Sequence, residues 1–228
     1  MRDLKKDFRN IAKSNLLKAN KERLGDKKII ELIKKEILKF KPKNILLYLP
    51  MNIEINIYPL IFYFKKQKNI KIFSPFIIDD SFKIVPFRLP LSKNKYNIYQ
   101  TNNSNFINFN KLDLAIIPIV GIDIDFRRIG FGKGMYDRFY ARLKNKPINI
   151  FVSRILSFSN IKITNYYDII GDIIIAKKGK KYDLFGSWFE CSSIRRPFTL
   201  YNKKNLYLKT KHSNTTSKNK SHSNRKRG

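Results

Sequence analysis

Short, nearly continuous apolar runs alternate with amphipathic stretches over the first 176 residues, and that alternation limits the possible folds more than any other feature. Asn44-Ile45-Leu46-Leu47-Tyr48-Leu49, closed by Pro50, has the profile of a strand buried on both faces. Leu112-Asp113-Leu114-Ala115-Ile116-Ile117-Pro118 is a second central strand candidate, with shorter ones at 70–73, 82–87, 148–152 and 172–175. Leu4, Phe8, Ile11, Ala12 and Leu16 recur at helical spacing with Lys and Arg between them. Ile29, Ile30, Leu32, Ile33, Ile37 and Leu38 predict a second helix, which ends before Pro42. Further helices are expected over 58–68 and 135–143, and 96–110 reads as a polar loop. This order predicts an α/β fold: one three-layer domain with a mainly parallel sheet flanked by helices.

The character changes after Lys177. Lys177-Lys178-Gly179-Lys180-Lys181 is a basic hinge, and no Asp or Glu occurs from Cys191 to Gly228. Such a composition buries too little apolar surface to offset chain entropy. The expected division is therefore a folded domain over 1–178 and a basic C-terminal extension over 179–228, largely disordered. Tyr182-Asp183-Leu184-Phe185-Gly186-Ser187-Trp188-Phe189 interrupts it as a candidate docking segment.

Charge and rare residues narrow the chemistry. A formal charge of +31 attracts polyanions. Because Lys is used heavily along the whole chain, the excess also reads as a general compositional bias rather than a clustered patch. A nucleic-acid-binding protein acting through its basic surface and tail is the alternative reading, although no recognisable RNA- or DNA-reading motif accompanies the charge. As an accessory role, the tail has the charge to contact RNA or an anionic membrane non-specifically. Cys191 is the only cysteine, which excludes an internal disulfide framework and Cys-based zinc sites. Both histidines, His212 and His222, lie in the tail, so the domain has none for a Ser-His or Cys-His pair. No apolar run approaches the roughly 20 residues of a membrane span. No apolar segment follows Met1-Arg2-Asp3-Leu4-Lys5-Lys6 as a secretory signal would require. A soluble cytoplasmic monomer is the expectation.

Chemistry concentrates in Arg127-Arg128-Ile129-Gly130-Phe131-Gly132-Lys133-Gly134-Met135-Tyr136-Asp137-Arg138, between a predicted strand and a predicted helix. Alternating glycines allow positive φ and close approach of a ligand to the backbone. Amides of a loop entering a helix favour phosphate. Lys133 and Arg128 add positive charge, and Asp137 could hold a magnesium ion that bridges phosphates. The pattern is not the dinucleotide fingerprint, because Met135 stands where the third glycine belongs, and it lacks the Gly-Lys-Ser/Thr of a P-loop.

The string, with Ile122-Asp123 before it, resembles the signature of the 5-formyltetrahydrofolate cyclo-ligase family: Phe-Asp, a short gap, then Arg-Leu-Gly-Tyr-Gly-x-Gly-Tyr-Tyr-Asp-Arg. Other segments follow the family's order. Lys5-Lys6-Asp7-Phe8-Arg9 is similar to its N-terminal motif, and Tyr48-Leu49-Pro50 followed by Glu54-Ile55-Asn56 to its Tyr-Leu-Pro…Glu-Val-Asp. The strand over 112–118 matches, and Tyr167-Asp168-Ile169-Ile170-Gly171-Asp172 resembles the closing His-Asp-x-x-x-Asp. The similarity covers roughly residues 4–176.

The resemblance implies ATP-dependent closure of 5-formyltetrahydrofolate to 5,10-methenyltetrahydrofolate, with ATP and Mg2+ as cofactors and a folate as small-molecule partner. It implies ATP contacts from Lys5, Arg9, Arg128, Ile129, Gly130, Phe131, Gly132, Lys133, Gly134, Met135 and Tyr136. Lys133 and Arg128 would act on the transferring group, and Asp137 and Asp168 would hold magnesium. The implied folate contacts are Leu49 and Glu54, together with Phe131, Gly132, Lys133, Gly134 and Met135. Departures are Phe126 at a usual glycine, Met135 for the first tyrosine of the pair, Tyr167 for the histidine, and Ala176-Lys177 for a closing Thr-Glu. The Gln-containing motif after Ile148 is unrecognisable.

Overall fold

The computed structural model describes residues 3–21, 26–95, 97–101, 111–177 and 193–195. They belong to a unit spanning Met1–Arg196. Most of the expected extension, including the aromatic segment over 182–189, lies outside the described residues, as does most of the loop expected over 96–110.

Five parallel strands make the centre of a seven-stranded sheet. They are β1 (Asn44–Leu47), β2 (Lys71–Ile78), β6 (Leu114–Pro118), β9 (Ile148–Ile155) and β10 (Ile173–Lys177). β3 (Ser81–Pro86) closes one edge antiparallel to β2, and β11 (Ser193–Arg195) closes the other antiparallel to β10. β11 therefore falls inside the segment expected to be extension. Two short ribbons stand outside the sheet: β4 (Leu91–Lys93) with β5 (Tyr99–Thr101), and β7 (Gly121–Ile122) with β8 (Arg128–Ile129).

Strand periodicity divides the core between the two faces. Ile45 and Leu47 of β1, with Ile116 of β6 and Ile150 of β9, face α2 (Asp26–Phe40) and α3 (Tyr58–Lys65). Leu46, Ile117 and Phe151 face the other way, toward Phe139 and Tyr140 of α4 (Met135–Ala141). Because both faces are covered, the central strands are apolar throughout, which is why they stand out in the sequence. α2 stops where Pro42 requires: Lys41 turns left-handed at φ 47°. α3 and α4 are shorter than their patterns suggest, ending at Lys65 and Ala141. α1 (Leu4–Lys21) seats Phe8, Ala12 and Leu16 against Val120 and Ile129 beside the β7–β8 ribbon. Gly121 makes that seat possible, since a Cβ there would lie 2.6 Å from the Phe8 ring.

The strand order runs β10-β9-β6-β1-β2 through the parallel region. From β1 the chain moves to β2 on one side, then returns to β6 on the other. The carboxyl ends of β1 and β6 thus flank a topological switch point, where open α/β sheets place ligands. The loop with Leu49 and Glu54 leaves β1 there, and the glycine loop follows β6.

Candidate functional site

The glycine loop is held by cations on its carbonyl side. Arg9 Nε donates to the Gly130 carbonyl at 2.9 Å, and Lys13 Nζ to the Phe131 carbonyl at 2.8 Å. Arg138 donates to the Lys133 carbonyl at 2.6 Å and, through Nε at 2.8 Å, to the Asp80 carbonyl at the β2–β3 turn. Among the described residues, no partner is found for the N–H groups from Gly130 to Gly134. Gly132 at φ 110° and Gly134 at φ 63° give the loop left-handed turns that side chains resist. With carbonyls engaged and amides open, the loop has the polarity of an anion-binding nest. The Lys133 side chain is exposed above it. α4 has only seven residues, so the loop's own amides, more than helix dipoles, provide that polarity.

Arg128 lies beneath the loop, 6 % exposed, with Nε donating to the Pro118 carbonyl at 3.3 Å. Its guanidinium is 4.8 Å from the Tyr136 ring centroid and 3.8 Å from Asp137 Oδ2. A Cβ at Gly130 would fall 2.2 Å from that guanidinium, so this glycine exists to let Arg128 through. Asp137 Oδ1 is buried without a hydrogen-bond partner, a costly arrangement for a carboxylate.

Opposite stands Glu54, whose Oε2 accepts the Met51 N–H at 2.8 Å. Burial pushes its carboxyl up to about 7, against the lowering effects of that hydrogen bond and of Arg128. Burial also raises the Tyr136 phenol, and the nearby Glu54 charge adds to the rise. Leu49 is part of the core at 6 % exposure.

Lys5 and Asp168 form a second constellation, with Nζ to Oδ2 at 2.6 Å. The same carboxylate oxygen accepts the Asn165 N–H at 2.7 Å, while Arg127 donates to the carbonyls of Tyr166 and Asp168, both at 2.8 Å. Asp123, fully buried, accepts N–H groups from Asp125, Arg127, Ile163 and Thr164, as well as the Thr164 hydroxyl, and so ties the loop entry to the β9–β10 connection. Phe126, at the family's usual glycine, keeps the left-handed conformation at φ 57°. That backbone costs a phenylalanine on the order of 1 kcal/mol, and its ring packs against the α4-side core in return. Met135 packs into the same cluster.

The structure thus gathers Arg9, Arg128, Gly130 to Gly134, Tyr136, Asp137 and Glu54 around the switch point and pairs Lys5 with Asp168. Three site-building residues escape the sequence reading. Lys13 continues the Lys5–Arg9 spacing by one more turn, a signal that was available. Its ammonium pKa is lowered by burial and by neighbouring Arg9. Arg138 is visible in the signature but has no role there. Arg154 lies near the end of a buried strand with no local cue to its partners.

For magnesium, Asp137 fits: its unpartnered oxygen suits a hard cation that takes one or two carboxylates and leaves the remaining positions to water and phosphate. At Asp168 a metal would compete with the Lys5 ammonium. Among the described residues no group of three or more His, Cys, Asp or Glu forms a self-sufficient metal site, and no helix is long and apolar enough to cross a membrane.

Comparison with known proteins gives consistent results. The profile of the 5-formyltetrahydrofolate cyclo-ligase family matches residues 2–157. A curated 5-formyltetrahydrofolate cyclo-ligase of Mycoplasma pneumoniae is 31% identical over 78 residues, 34% of this chain and 47% of the relative. Its namesake in Mycoplasma genitalium is 36% identical over 74 residues, 32% of this chain and 44% of the relative. The matched stretches span about half the length of these relatives. The NMR structure of Aquifex aeolicus 5,10-methenyltetrahydrofolate synthetase shares the fold, with TM-score 0.61 and 24% identity over 76% of this chain and 89% of that one. The Mycoplasma pneumoniae 5,10-methenyltetrahydrofolate synthetase structure gives TM-score 0.56 at 26% identity, covering 75% and 97%.

Proposed function

Because the chain belongs to the 5-formyltetrahydrofolate cyclo-ligase family, we propose that it converts 5-formyltetrahydrofolate and ATP to 5,10-methenyltetrahydrofolate, ADP and phosphate, as a cytoplasmic monomer. The observation that carries this reading is the glycine loop with engaged carbonyls and open amides, facing Glu54 across the switch point.

The formyl oxygen is a poor leaving group. Its attack on the γ-phosphorus transfers the phosphoryl group and releases ADP. N10 then attacks the activated formyl carbon, the C–O bond breaks, and inorganic phosphate departs carrying the proton released from N10. This sequence needs alignment and charge neutralisation more than a strong protein base, in keeping with a domain that has no histidine. In this reading the amides from Gly130 to Gly134 bind phosphate oxygens, and Lys133 follows the transferring group. Arg128 supplies fixed positive charge from below and stiffens the loop. Arg9 and Lys5 reach the outer phosphates from one face of α1. Glu54, with Leu49 behind it, accepts hydrogen bonds from the pterin. Asp137, with Asp168 in competition with Lys5, would hold magnesium, whose chemistry is to screen the charge of the phosphates.

The test is methenyl-folate absorbance with purified protein, 5-formyltetrahydrofolate and MgATP, for the full chain and a truncation ending near Lys178. Both are expected to turn over. Lys133→Ala and Asp137→Ala are expected to lower turnover about 100-fold while remaining folded by circular dichroism. An inert full chain that binds RNA tightly would instead favour the nucleic-acid reading.

A further inference from the structure

Arg154 is a buried charge near the end of β9, 4 % exposed, and nothing in the chemistry above uses it. Its Nε and Nη2 grip Asp26 at the start of α2, at 2.8 Å to Oδ1 and 2.7 Å to Oδ2. Two further bonds go to backbone: Nη1 donates to the Ile53 carbonyl at 3.2 Å and Nη2 to the Glu54 carbonyl at 3.1 Å. One guanidinium therefore joins β9, α2 and the loop after β1.

A bare arginine is expensive to bury, and an apolar residue would serve packing as well or better. What a planar fork adds is direction. The loop it holds is bonded at successive residues around the Glu54 carboxylate. Ile53 and Glu54 hand their carbonyls to Arg154, Ile55 hands its carbonyl to the buried Tyr48 hydroxyl at 2.9 Å, and the carboxylate itself accepts the Met51 N–H. Asp26 sets the guanidinium plane, and the guanidinium sets the two peptide units on which the Glu54 side chain stands.

We propose that Arg154, oriented by Asp26, is a positioning residue for folate recognition: it fixes the backbone at Ile53 and Glu54 so that the Glu54 carboxylate meets the pterin in one geometry. The role rests on the cyclo-ligase reading for its substrate but not for its geometry, and the experiment separates the two.

Arg154→Lys keeps the charge and loses the fork, and Asp26→Asn keeps the shape and loses the charge-assisted pair. In the full chain, Arg154→Lys is expected to raise the KM for 5-formyltetrahydrofolate about tenfold or more, with the KM for ATP within about twofold of wild type. Asp26→Asn is expected to do the same more weakly, by about threefold, and it carries the test alone if Arg154→Lys does not fold. Hydrogen exchange gives a readout independent of turnover. The Met51 and Glu54 amides should exchange about tenfold faster in either variant, with Gly130 to Gly134 unchanged. Unaltered exchange at Met51 and Glu54 overturns the proposal, as does a rise in both KM values together. Faster exchange in the variants, alongside a wild-type chain that lacks folate turnover, would retain the positioning role and remove the cyclo-ligase reading instead.

Discussion

On one side of the crevice the glycine loop is held by long, partly exposed cations: Arg9 and Lys13 from α1, and Arg138 from α4. On the other, the Glu54 loop is held by a buried arginine fork and a buried tyrosine hydroxyl. Exposed charged contacts are worth little and exchange readily with solvent or another anion-bearing partner. Removing one partner of a buried ion pair is costly. The two sides are thus suited to different ligands. In the proposed reading, a highly charged, hydrated triphosphate would meet cations that can leave carbonyls for phosphates, whereas a flat heterocycle would meet a carboxylate whose geometry is fixed beforehand.

Three substitutions would break or sharpen that contrast, in decreasing order of effect. Gly130→Ala should be the most damaging, because its Cβ would collide with the Arg128 guanidinium. The expected result is a fall in kcat/KM of about 100-fold or more, measured by methenyl-folate absorbance, with a stability loss of only about 1–3 kcal/mol. Retained activity would show that Arg128 does not support the loop from below.

Glu54→Gln should act on the folate side alone, raising folate KM about tenfold at pH 8 and leaving ATP KM near wild type. Its pH dependence has a definite sign. Burial raises the folded-state pKa from 4.5 to about 7, so between those values the folded chain keeps a proton that the unfolded chain has released. Wild-type stability therefore declines as pH rises through that window, and the full cost of the ionised carboxylate is present above it. Denaturant titrations should show Glu54→Gln more stable than wild type at pH 8, by up to roughly 3 kcal/mol, and equal to it near pH 4. Folate affinity of the wild type should weaken below about pH 7, as the carboxylate gains its proton.

Lys13→Met should be the mildest change. Removing one exchangeable cation is expected to raise ATP KM about three- to fivefold, an effect that shrinks as salt is added. A larger loss with no salt dependence would place Lys13 among the fixed elements.

These two kinds of support also explain what could be read from the sequence. The central strands were legible because burial on both faces leaves continuous apolar runs. The sequence predicts an end to β2 at Phe73, but the strand continues to Ile78 through Pro75. Past Phe73 it pairs with β3 and no longer with β1, so the missing N–H is tolerated. The sequence predicts an end to β9 at Val152, but the strand runs on to Ile155, with Arg154 buried where it meets Asp26 across 128 residues. The two-residue strands of the β7–β8 ribbon have no periodicity to detect. The glycine loop announced itself by composition. Lys5, Arg9 and Asp168, by contrast, became candidates only through family resemblance, since charged residues in a lysine-rich chain are individually silent.

Lys5 finds Asp168 across 163 residues of chain. During synthesis the first helix leaves the ribosome long before its partner carboxylate exists, and closing so long a loop has a high entropic cost. An interrupted translation product that ends before Asp168 would therefore carry the glycine loop but lack the electrostatic latch that locates the start of α1. The contact that fixes Lys5 at the head of α1 is thus among the last the emerging polypeptide can make.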